Sequence, residues 1–518
     1  MTTDKIFILL AMILYLLGMV AIGIFFNKKA NESTDNYFLG GRTLGPWITA
    51  MSAEASDMSG WLMMGLPGVA YWCGLASAVQ TAIGLAVGTY LNWLLISKRL
   101  RRYSTVFDDS ITLPEFFSKR FGEKKPVILI ISSLFILIFF TVYAASCLVT
   151  FGKLFSALFN VKYIPMMILG AVIVLIYTFM GGFLAESVSD FFQAIVMVIA
   201  LIAIVSISIY KAGGVAAMTE NLKQIPGFLE FFASANPVTD SSGVQQVVNN
   251  APVFGEKLPG SAIAVLSALA WGLGYFGMPQ VLLRFMAIRK ESELNRSRRI
   301  AIIWVTISMA CAVFIGIIGR DLLPTTLLTA SQSENIFILL SIKLLPSFLA
   351  GLVMAGILAA AMSSSDSYLL IAASAFAKNI YHSVVKKDAT DKQVMRMSKI
   401  TLVVITLIAI VISLNENSVI FKIVSFAWAG FGATFGPLVL FSLFWKKTTR
   451  AGAIAGMLSG GISVFVWKLG ISKLGGIFTV YELLPSFIIS CIFIAVVSLF
   501  TEKPSAETIK KIEIANTK

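Results

Sequence analysis

The chain has 518 residues, of which 57% are hydrophobic and 13% are charged, with a mean hydropathy of +0.86 and a formal net charge of +14. Soluble domains carry about 25% charged residues, so this composition excludes an ordinary soluble protein and predicts a polytopic membrane protein. The basic residues lie between apolar runs, which is the pattern of membrane topology and not of a nucleic-acid-binding surface.

Apolar runs of about twenty residues predict about thirteen transmembrane helices, beginning with residues 6–26. This first run has no basic segment before it and no small-residue cleavage site, so we expect it to span the membrane. Lysine and arginine concentrate in alternate connections, which places the N-terminus outside the cell membrane and the C-terminus in the cytoplasm. The long outer connection, residues 212–259, is expected to hold short helices.

Cysteine and histidine give no sign of metal or redox chemistry. The cysteines, Cys73, Cys147, Cys311 and Cys491, lie in or beside apolar segments without paired spacing. This pattern predicts neither a disulfide framework nor a zinc site. His382, the only histidine, falls in a predicted basic loop, which excludes a histidine proton relay.

The first unusual segment reads Met-Ser-Ala-Glu-Ala-Ser-Asp-Met-Ser-Gly-Trp over residues 51–61, inside an apolar stretch long enough to cross a bilayer. A charged side chain at the bilayer centre costs at least about 2.5 kcal/mol, so Glu54 and Asp57 are expected to face a cavity. Gly60 and its hydroxyl neighbours weaken the helix, and non-helical backbone at membrane depth persists only where it lines a cavity or is buried. The segment therefore predicts a broken helix at a binding site.

The second unusual segment contains Gly272, Gly274, Gly277 and Pro279 within one apolar stretch. Glycine adds backbone freedom and proline removes a hydrogen bond, so a continuous helix is not expected. The glycines also spell G-x-G-x-x-G, but no strand precedes them and a nucleotide site is not predicted.

Paired broken helices at corresponding positions indicate a secondary transporter built from inverted repeats. We predict a single transmembrane domain over residues 1–518 in which residues 44–211 form the first five-helix repeat and residues 260–446 the second. Two further helices over residues 451–501 and a cytoplasmic tail over residues 502–518 are expected to follow.

The third segment places Ala360, Ser363, Ser364 and Ser367 on one helix face, because they recur at positions i, i+3, i+4 and i+7. Hydroxyls and freed carbonyls are hard oxygen donors that suit a hard cation such as sodium. Small and hydroxyl residues also occur where membrane helices simply pack. The presence of Asp366 in the same turn favours ion binding over simple helix packing.

The chain resembles the solute:sodium symporter family over nearly its whole length, especially the members that carry L-proline. The matching stretches are YFLGGRTLGP (37–46), ASDMSGWLMMGLP (55–67), FFTVY (139–143), TFMGGFLA (178–185), WGLGYFG (271–277), RFMA (284–287) and AWAGFG (427–432). The resemblance implies an all-α membrane protein with a LeuT-like fold, whose inverted five-helix repeats each open on a broken helix. It also implies sodium-driven import of a small solute by alternating access.

The resemblance implies two sets of site residues. The sodium ligands would be the carbonyls of Ala55, Met58 and Ala360 with the hydroxyls of Ser363 and Ser364, and Asp57 would be the carboxylate essential for sodium coupling. The solute would contact Ser59, Gly60, Trp61, Tyr143, Trp271, Tyr275 and Pro279. Proline has an apolar ring, a carboxylate and a secondary ammonium, which call for aromatic walls and a few polar groups.

Glu54 departs from the family pattern, which has glycine there. Two alternatives stay open for this residue. Glu54 is uncharged because burial penalises its charged form, or it pairs with a cation such as Arg42 or Arg284.

Asp366 also replaces an uncharged residue of the family pattern, while Asp190 matches a family aspartate linked to sodium. With Ser363 and Ser367, these carboxylates form a candidate second sodium site like that of some family members. The alternatives are a helix-end cap for Asp190 and a buried polar pair for Asp366.

Three other classes of function remain as alternatives. A symporter of the same family for a sugar, sialic acid or a vitamin is the nearest one. A membrane sensor fits less well, because the tail after Phe500 is short for a signalling domain. An enzyme or an ATP-driven pump fits least well, because the sequence has no P-loop, no HExxH motif and no nucleophile with a histidine partner. The predicted partners are sodium, L-proline and the lipid bilayer, without nucleic acid.

Overall fold

The computed structural model describes residues 2–30 and 33–517, with the backbone alone for residues 27–30, 34–35 and 180–181. The chain is mostly helical. The helices of the first half are α1 (Thr3–Ala30), α2 (Thr34–Leu39), α3 (Pro46–Asp57), α4 (Leu66–Cys73), α5 (Leu75–Leu91), α6 (Ser97–Val106), α7 (Leu113–Arg120), α8 (Val127–Phe159), α9 (Tyr163–Lys211) and α10 (Val215–Leu222). Those of the second half are α11 (Ala262–Ala270), α12 (Pro279–Ala287), α13 (Leu294–Leu322), α14 (Ala330–Ser333), α15 (Ile336–Leu344), α16 (Ser347–Ser374), α17 (Asp391–Ile412), α18 (Ile420–Phe444), α19 (Arg450–Leu469), α20 (Leu483–Phe500) and α21 (Ala506–Thr517).

Ten helices in the described part of the chain are long and apolar enough to cross a membrane. An eleventh span is formed if the segments Ala262–Gly277 and Pro279–Ala287, which are bent by 43° relative to each other, are taken together. The prediction of a multi-pass helical membrane protein is confirmed at this level.

The connection between α9 and α11, for which short helices are predicted, contains a short helix and also short strands. It contains α10 and two antiparallel pairs of short strands, in which β1 (Ala233–Ser234) pairs with β4 (Leu258–Pro259) and β2 (Val247–Val248) pairs with β3 (Ala251–Pro252). Asn249 and Asn250 join β2 to β3 with φ of 50° and 61°. Consecutive positive φ angles are typical of a two-residue hairpin turn, in which asparagine is favoured. The fold is therefore not purely α-helical.

The first broken helix consists of α3 and α4. The backbone leaves the helical conformation at Met58, where φ is −87° and ψ is 74°. The Ser59 hydroxyl then accepts a hydrogen bond of 3.2 Å from the Trp61 backbone N–H, which helps to start the second half. This half begins with the π-helical turn Trp61–Gly65 and continues as α4. The carboxylates of the sequence motif thus lie just before the break.

The second broken helix consists of α11, the 3₁₀ segment Trp271–Gly277 and α12. Met278 is extended, with φ of −77° and ψ of 106°, and Pro279 occupies the first turn of α12, where its missing N–H is not needed. A Cβ added to Gly272 would lie 2.2 Å from the carbonyl oxygen of Gly84 on α5. Glycine is required there because the two backbones touch.

Helix α9 folds back on itself at Gly182, where φ is 57° and ψ is −177°. This conformation is essentially restricted to glycine. The hydroxyl of Tyr177 is hydrogen-bonded to that of Ser189, twelve residues further on. Twelve residues of straight helix would separate the two by about 18 Å, so the two parts of α9 run back to back.

Helix α16 lies at the centre of the bundle and packs against α1, α3, α8 and α9. Every residue from 353 to 375 is buried. The helix then continues as the π-helical segment Ala375–Val385, so His382 lies in a helix and not in the predicted loop. The central position of α16 brings its serines against the first broken helix.

Candidate functional site between the two broken helices

The predicted sodium ligands of α16 lie against the end of α3. The Ser363 hydroxyl donates to the carbonyl oxygen of Ala55 at 2.8 Å, and the Ser364 hydroxyl lies 3.4 Å from the same oxygen. The carbonyl oxygen of Ala360 is 3.3 Å from the Ser363 hydroxyl. Met58, at the break, is three residues from Ala55 and is also buried. The structure therefore brings together oxygen atoms of the type that binds sodium.

Asp57 connects the first broken helix to the second. Its side chain is buried, and its Oδ2 accepts a hydrogen bond of 2.8 Å from the Tyr275 hydroxyl. Its Oδ1 accepts one of 3.1 Å from the Gln280 side-chain amide. The carboxylate of Asp57 is thus held by the second broken helix and not by the serines of α16.

A cavity of about 10 Å³ lies between the two breaks, which is the space of about one water molecule. Its aromatic walls are packed against one another, with the rings of Trp61 and Trp271 5.6 Å apart and those of Tyr275 and Trp428 5.0 Å apart. The lining residues are Asp57, Met58, Trp61, Leu85, Tyr143, Trp271, Tyr275, Val424 and Trp428. Four of the predicted solute contacts therefore line one small cavity.

The other three predicted solute contacts lie at the breaks and do not line the cavity. Ser59 hydrogen-bonds the backbone of Trp61, and Pro279 begins α12. Gly60 packs directly on α8, because a Cβ added there would lie 2.0 Å from the Thr150 hydroxyl. These three residues shape the backbone beside the cavity.

The sequence did not single out Leu85, Gln280, Val424 or Trp428. Trp428 lies within a stretch that matches the family, and its indole N–H donates to the carbonyl oxygen of Trp271 at 2.7 Å. A tryptophan beside glycines in an apolar helix was a signal for this position. The other three residues carried no local signal, because only the packing of distant helices brings them to the cavity.

Two residues of the candidate second sodium site, Asp190 and Ser367, contact the guanidinium of Arg284, whereas Ser363 contacts Ala55. The Arg284 Nη2 lies 3.2 Å from Asp190 Oδ2 and 2.9 Å from the Ser367 hydroxyl, and it also contacts Glu186. The Ser52 hydroxyl donates to Asp190 at 2.7 Å. Asp190 lies inside α9 and is paired with a cation, so the alternative of a helix-end cap is wrong.

Asp366 lies next to this group without contacting Arg284 closely. Its Oδ1 accepts the backbone N–H of Ser367 at 2.8 Å. Asp366 and Glu186 also line a second small cavity, of about 10 Å³, and each has one carboxylate oxygen without a hydrogen-bond partner among the described residues. Glu186 was not predicted, although a carboxylate within an apolar segment is itself a functional signal.

Glu54 pairs with neither of the two arginines considered for it. Its Oε1 accepts a hydrogen bond of 3.2 Å from the Trp93 indole. Arg42 instead lies 2.9 Å from Asp109 and donates to the carbonyl oxygen of Ser110, while Arg284 is bound within its own cluster. Of the two alternatives for Glu54, the ion pair with Arg42 or Arg284 is therefore wrong, because both arginines have other partners.

A buried ion pair holds the start of α18, the helix that contributes Val424 and Trp428 to the cavity. Lys153 Nζ lies 2.5 Å from Glu334 Oε2, and both side chains are buried. Glu334 also accepts hydrogen bonds from the backbone N–H groups of Ile420 and Phe421 at the start of α18. The ring of Phe421 lies 5.0 Å from that of Trp271, so this ion pair positions a residue that packs against the cavity wall.

Comparison with known proteins agrees with this architecture. Residues 37–460 match a family model described as the sodium:solute symporter family. The osmoregulated proline transporter OpuE of Bacillus subtilis (strain 168) is 39% identical over 500 residues, which cover 96% of each chain. The sodium/proline symporter of Staphylococcus aureus (strain USA300) is 39% identical over 498 residues, covering 95% of this chain and 92% of its own.

The fold is similar to that of a solved Na⁺-coupled sialic acid symporter in a substrate-bound outward-open state. The TM-score is 0.73 at 18% identity, and the match covers 96% of this chain and 99% of that one. Because the family model spans most of the chain and the relatives match almost all of it, the chain belongs to the sodium:solute symporter family, in which sodium is the coupling ion.

Proposed function

We propose that this chain imports L-proline across the cell membrane together with sodium by alternating access. The observation that carries the proposal is the small aromatic cavity between two broken helices, with the oxygen cluster of Ala55 and Ser363 beside the same break. The relatives whose names include proline transport support this choice of solute. Sodium from outside the cell binds first in this scheme.

The sodium ion is assigned to the oxygens of Ala55, Met58, Ala360, Ser363 and Ser364. In the structure, the hydroxyls of Ser363 and Ser364 point to the carbonyl oxygen of Ala55. A bound sodium would take over these oxygen lone pairs and join α3 to α16. Since the solute cavity begins at the same break, fixing α3 prepares that cavity. By linkage, sodium raises the affinity for proline by the factor by which proline raises the affinity for sodium.

The solute is assigned to the cavity lined by Trp61, Tyr143, Trp271 and Tyr275, with Ser59, Gly60 and Pro279 shaping its edges. The cavity of about 10 Å³ is too small for proline, so its walls must part for the solute to enter and leave. The Trp61 indole N–H has no hydrogen-bond partner among the described residues. It lies where a half-helix begins, and this is where such transporters hold an anionic solute group. We assign the proline carboxylate to this end.

The membrane arrangement follows from the same proposal. Ten helices and the bent pair cross the membrane, and we add the short apolar helix Tyr163–Phe179 and the first broken helix to reach thirteen spans. Residues 44–211 and 260–446 then form the two inverted repeats, followed by two helices within residues 451–501 and the tail at 502–518. The cationic connections place the N-terminus outside and the C-terminus in the cytoplasm.

A second sodium ion at Asp190, Asp366 and Ser367, beside Ser363, remains part of the proposal. Glu186 and Asp190 pair with the guanidinium of Arg284, and Asp366 shares a small cavity with Glu186. Three buried carboxylates thus lie near one guanidinium, and a sodium ion would offset part of their remaining negative charge. Its test is the ratio of sodium to solute taken up by proteoliposomes. We expect more than one sodium per solute, and a lower ratio in the Asp366→Asn variant. A wild-type ratio of one to one would remove the second ion.

The experiment that tests the function is uptake into proteoliposomes containing the purified chain. Labelled L-proline should accumulate when sodium is high outside, and it should not accumulate in sodium-free medium or without a gradient. Sugars, sialic acid and vitamins in excess should not compete with it. Sodium-independent uptake would contradict the mechanism. Competition by one of these solutes would mean that this solute, and not proline, is the substrate.

A further inference from the structure

Asp57 is a buried carboxylate that lacks a cationic partner. Its side chain is 4% exposed, and both of its oxygens accept hydrogen bonds from neutral groups, the Tyr275 hydroxyl and the Gln280 amide. No lysine, arginine or histidine nitrogen of the described residues lies within 4.0 Å of it. A buried charge is costly unless an opposite charge meets it, so this carboxylate is suited to a cation that arrives from outside the chain.

The direction of the Asp57 side chain decides which cation it meets. The sodium ligands of α16 contact the Ala55 carbonyl, whereas the Asp57 partners both belong to the second broken helix. The carboxylate is therefore held by the second broken helix and lines the solute cavity, whereas the serines of α16 contact only the backbone of α3 among these groups.

The walls around Asp57 favour an organic cation. Trp61, Tyr143, Trp271 and Tyr275 line the same cavity, and aromatic faces attract cations. Glu54 lies one turn earlier on α3 and adds a second buried carboxylate near this side. A small cavity with one carboxylate and several aromatic rings has the chemistry that binds an ammonium group.

We propose that Asp57 is the counter-ion of the solute's ammonium group, and that Tyr275 and Gln280 are positioning residues that hold its carboxylate toward the cavity. This inference rests on the proposed function, because it takes the solute to be an amino acid. The solute would lie with its carboxylate at the Trp61 end and its ammonium at Asp57. Asp57 then affects sodium coupling through the solute and not as a sodium ligand.

The test compares L-proline with tetrahydrofuran-2-carboxylate, in which an ether oxygen replaces the ammonium and the ring and carboxylate stay. Both are added to proteoliposomes under an inward sodium gradient, and affinities are read from solute-induced currents and from competition with labelled proline. The wild-type chain should prefer proline by at least about tenfold, the size expected for a hydrogen bond to a charged group. Asp57→Asn should remove most of this preference by weakening proline binding alone.

Three variants keep the test independent of folding. Asp57→Glu keeps the charge and should restore part of the preference. Tyr275→Phe keeps the Asp57 charge but loses one of the donors that orient it, and should reduce the preference less than Asp57→Asn. Ser363→Ala should raise the sodium needed for half-maximal current with either compound and leave the preference unchanged. Each variant is used only if it elutes as the wild type does in size-exclusion chromatography.

An equal loss of affinity for both compounds in Asp57→Asn would overturn the inference and return Asp57 to the sodium site. A wild-type chain that gives no current with proline would refute the proposed function separately. The same currents are therefore recorded with choline, N-methylglycine, glucose and sialic acid. If the solute that gives the largest current carries a cationic nitrogen, and Asp57→Asn removes the preference for that solute, the inference is supported even though the solute is not proline. If the solute that gives the largest current has no cationic nitrogen, the inference is overturned.

Discussion

The hydroxyl of Ser363 lies 2.8 Å from the carbonyl oxygen of Ala55 and so joins the central helix α16 to the last turn of α3. Both residues are buried, and Ala55 is three residues before the break. An ion bound at these two oxygens would contact a fixed helix on one side and the hinge of the broken helix on the other. This contact is where sodium can control the shape of the solute cavity.

We expect Ser363→Ala, and more strongly the double variant with Ser364→Ala, to raise the sodium concentration needed for half-maximal proline uptake. Each variant loses an oxygen ligand, and a loss of about 1.4 kcal/mol corresponds to a tenfold change. Ser365→Ala is the matched control, because its hydroxyl bonds the carbonyl of Ala361 on its own helix. An unchanged sodium requirement in the double variant would remove these hydroxyls from the sodium site.

Arg284→Met should lower the thermal stability of the purified chain. The substitution leaves Glu186 and Asp190 buried without their cation, and breaking a buried ion pair in this way costs about 3–5 kcal/mol. Adding Glu186→Gln to Arg284→Met should recover part of the loss, since one uncompensated charge disappears. Unfolding midpoints in detergent measure both effects. Equal midpoints for the single and double variants would argue against this pairing.

Gly60→Ala should impair uptake while the chain still reaches the membrane. The new methyl group would lie 2.0 Å from the Thr150 hydroxyl, so α8 and the break must move apart. Overpacking of this kind costs about 1–3 kcal/mol. Adding Thr150→Ala should restore part of the activity. Gly18→Ala is the control, because nothing lies within 4 Å of a Cβ at that position. Full uptake activity in Gly60→Ala would show that transport tolerates a larger distance between α8 and the broken helix.

Lys153→Met and Glu334→Ala should differ in their cost to stability. Without Lys153, Glu334 still accepts two backbone N–H groups at the start of α18. Without Glu334, the lysine is buried with only Ser331 as a partner and the helix start loses its acceptor. We therefore expect Glu334→Ala to lower the unfolding midpoint more. If Lys153→Met lowered the unfolding midpoint more, the ion pair would contribute more to stability than the hydrogen bonds at the start of α18.

Both helix breaks could be predicted from the sequence, because their causes are local. Serine and glycine after Asp57, and glycines with a proline at Gly277 and Pro279, disfavour a helix wherever the segment lies. The serine face of α16 was also readable from its spacing. The prediction that Asp190 lies near Ser367 came from family resemblance, and the structure does place both at Arg284.

The partners of these residues could not be predicted, because they come from distant parts of the chain. Gln280 binds Asp57 across 223 positions, and Arg284 binds Glu186 across 98. No periodicity or local composition encodes such distances. The short strands were missed for a different reason. Two asparagines at residues 249–250 were a hairpin signal, but each flanking strand has only two residues.

The reversal of α9 at Gly182 bears on how the chain enters the bilayer during synthesis. The first arm is the short apolar helix Tyr163–Phe179, and only Met180 and Gly181 precede the turning residue. An arm of this length is at the lower limit for a helix that spans the membrane. We therefore expect the two arms to enter the bilayer together as one hairpin, so that lengthening the turn would uncouple their insertion.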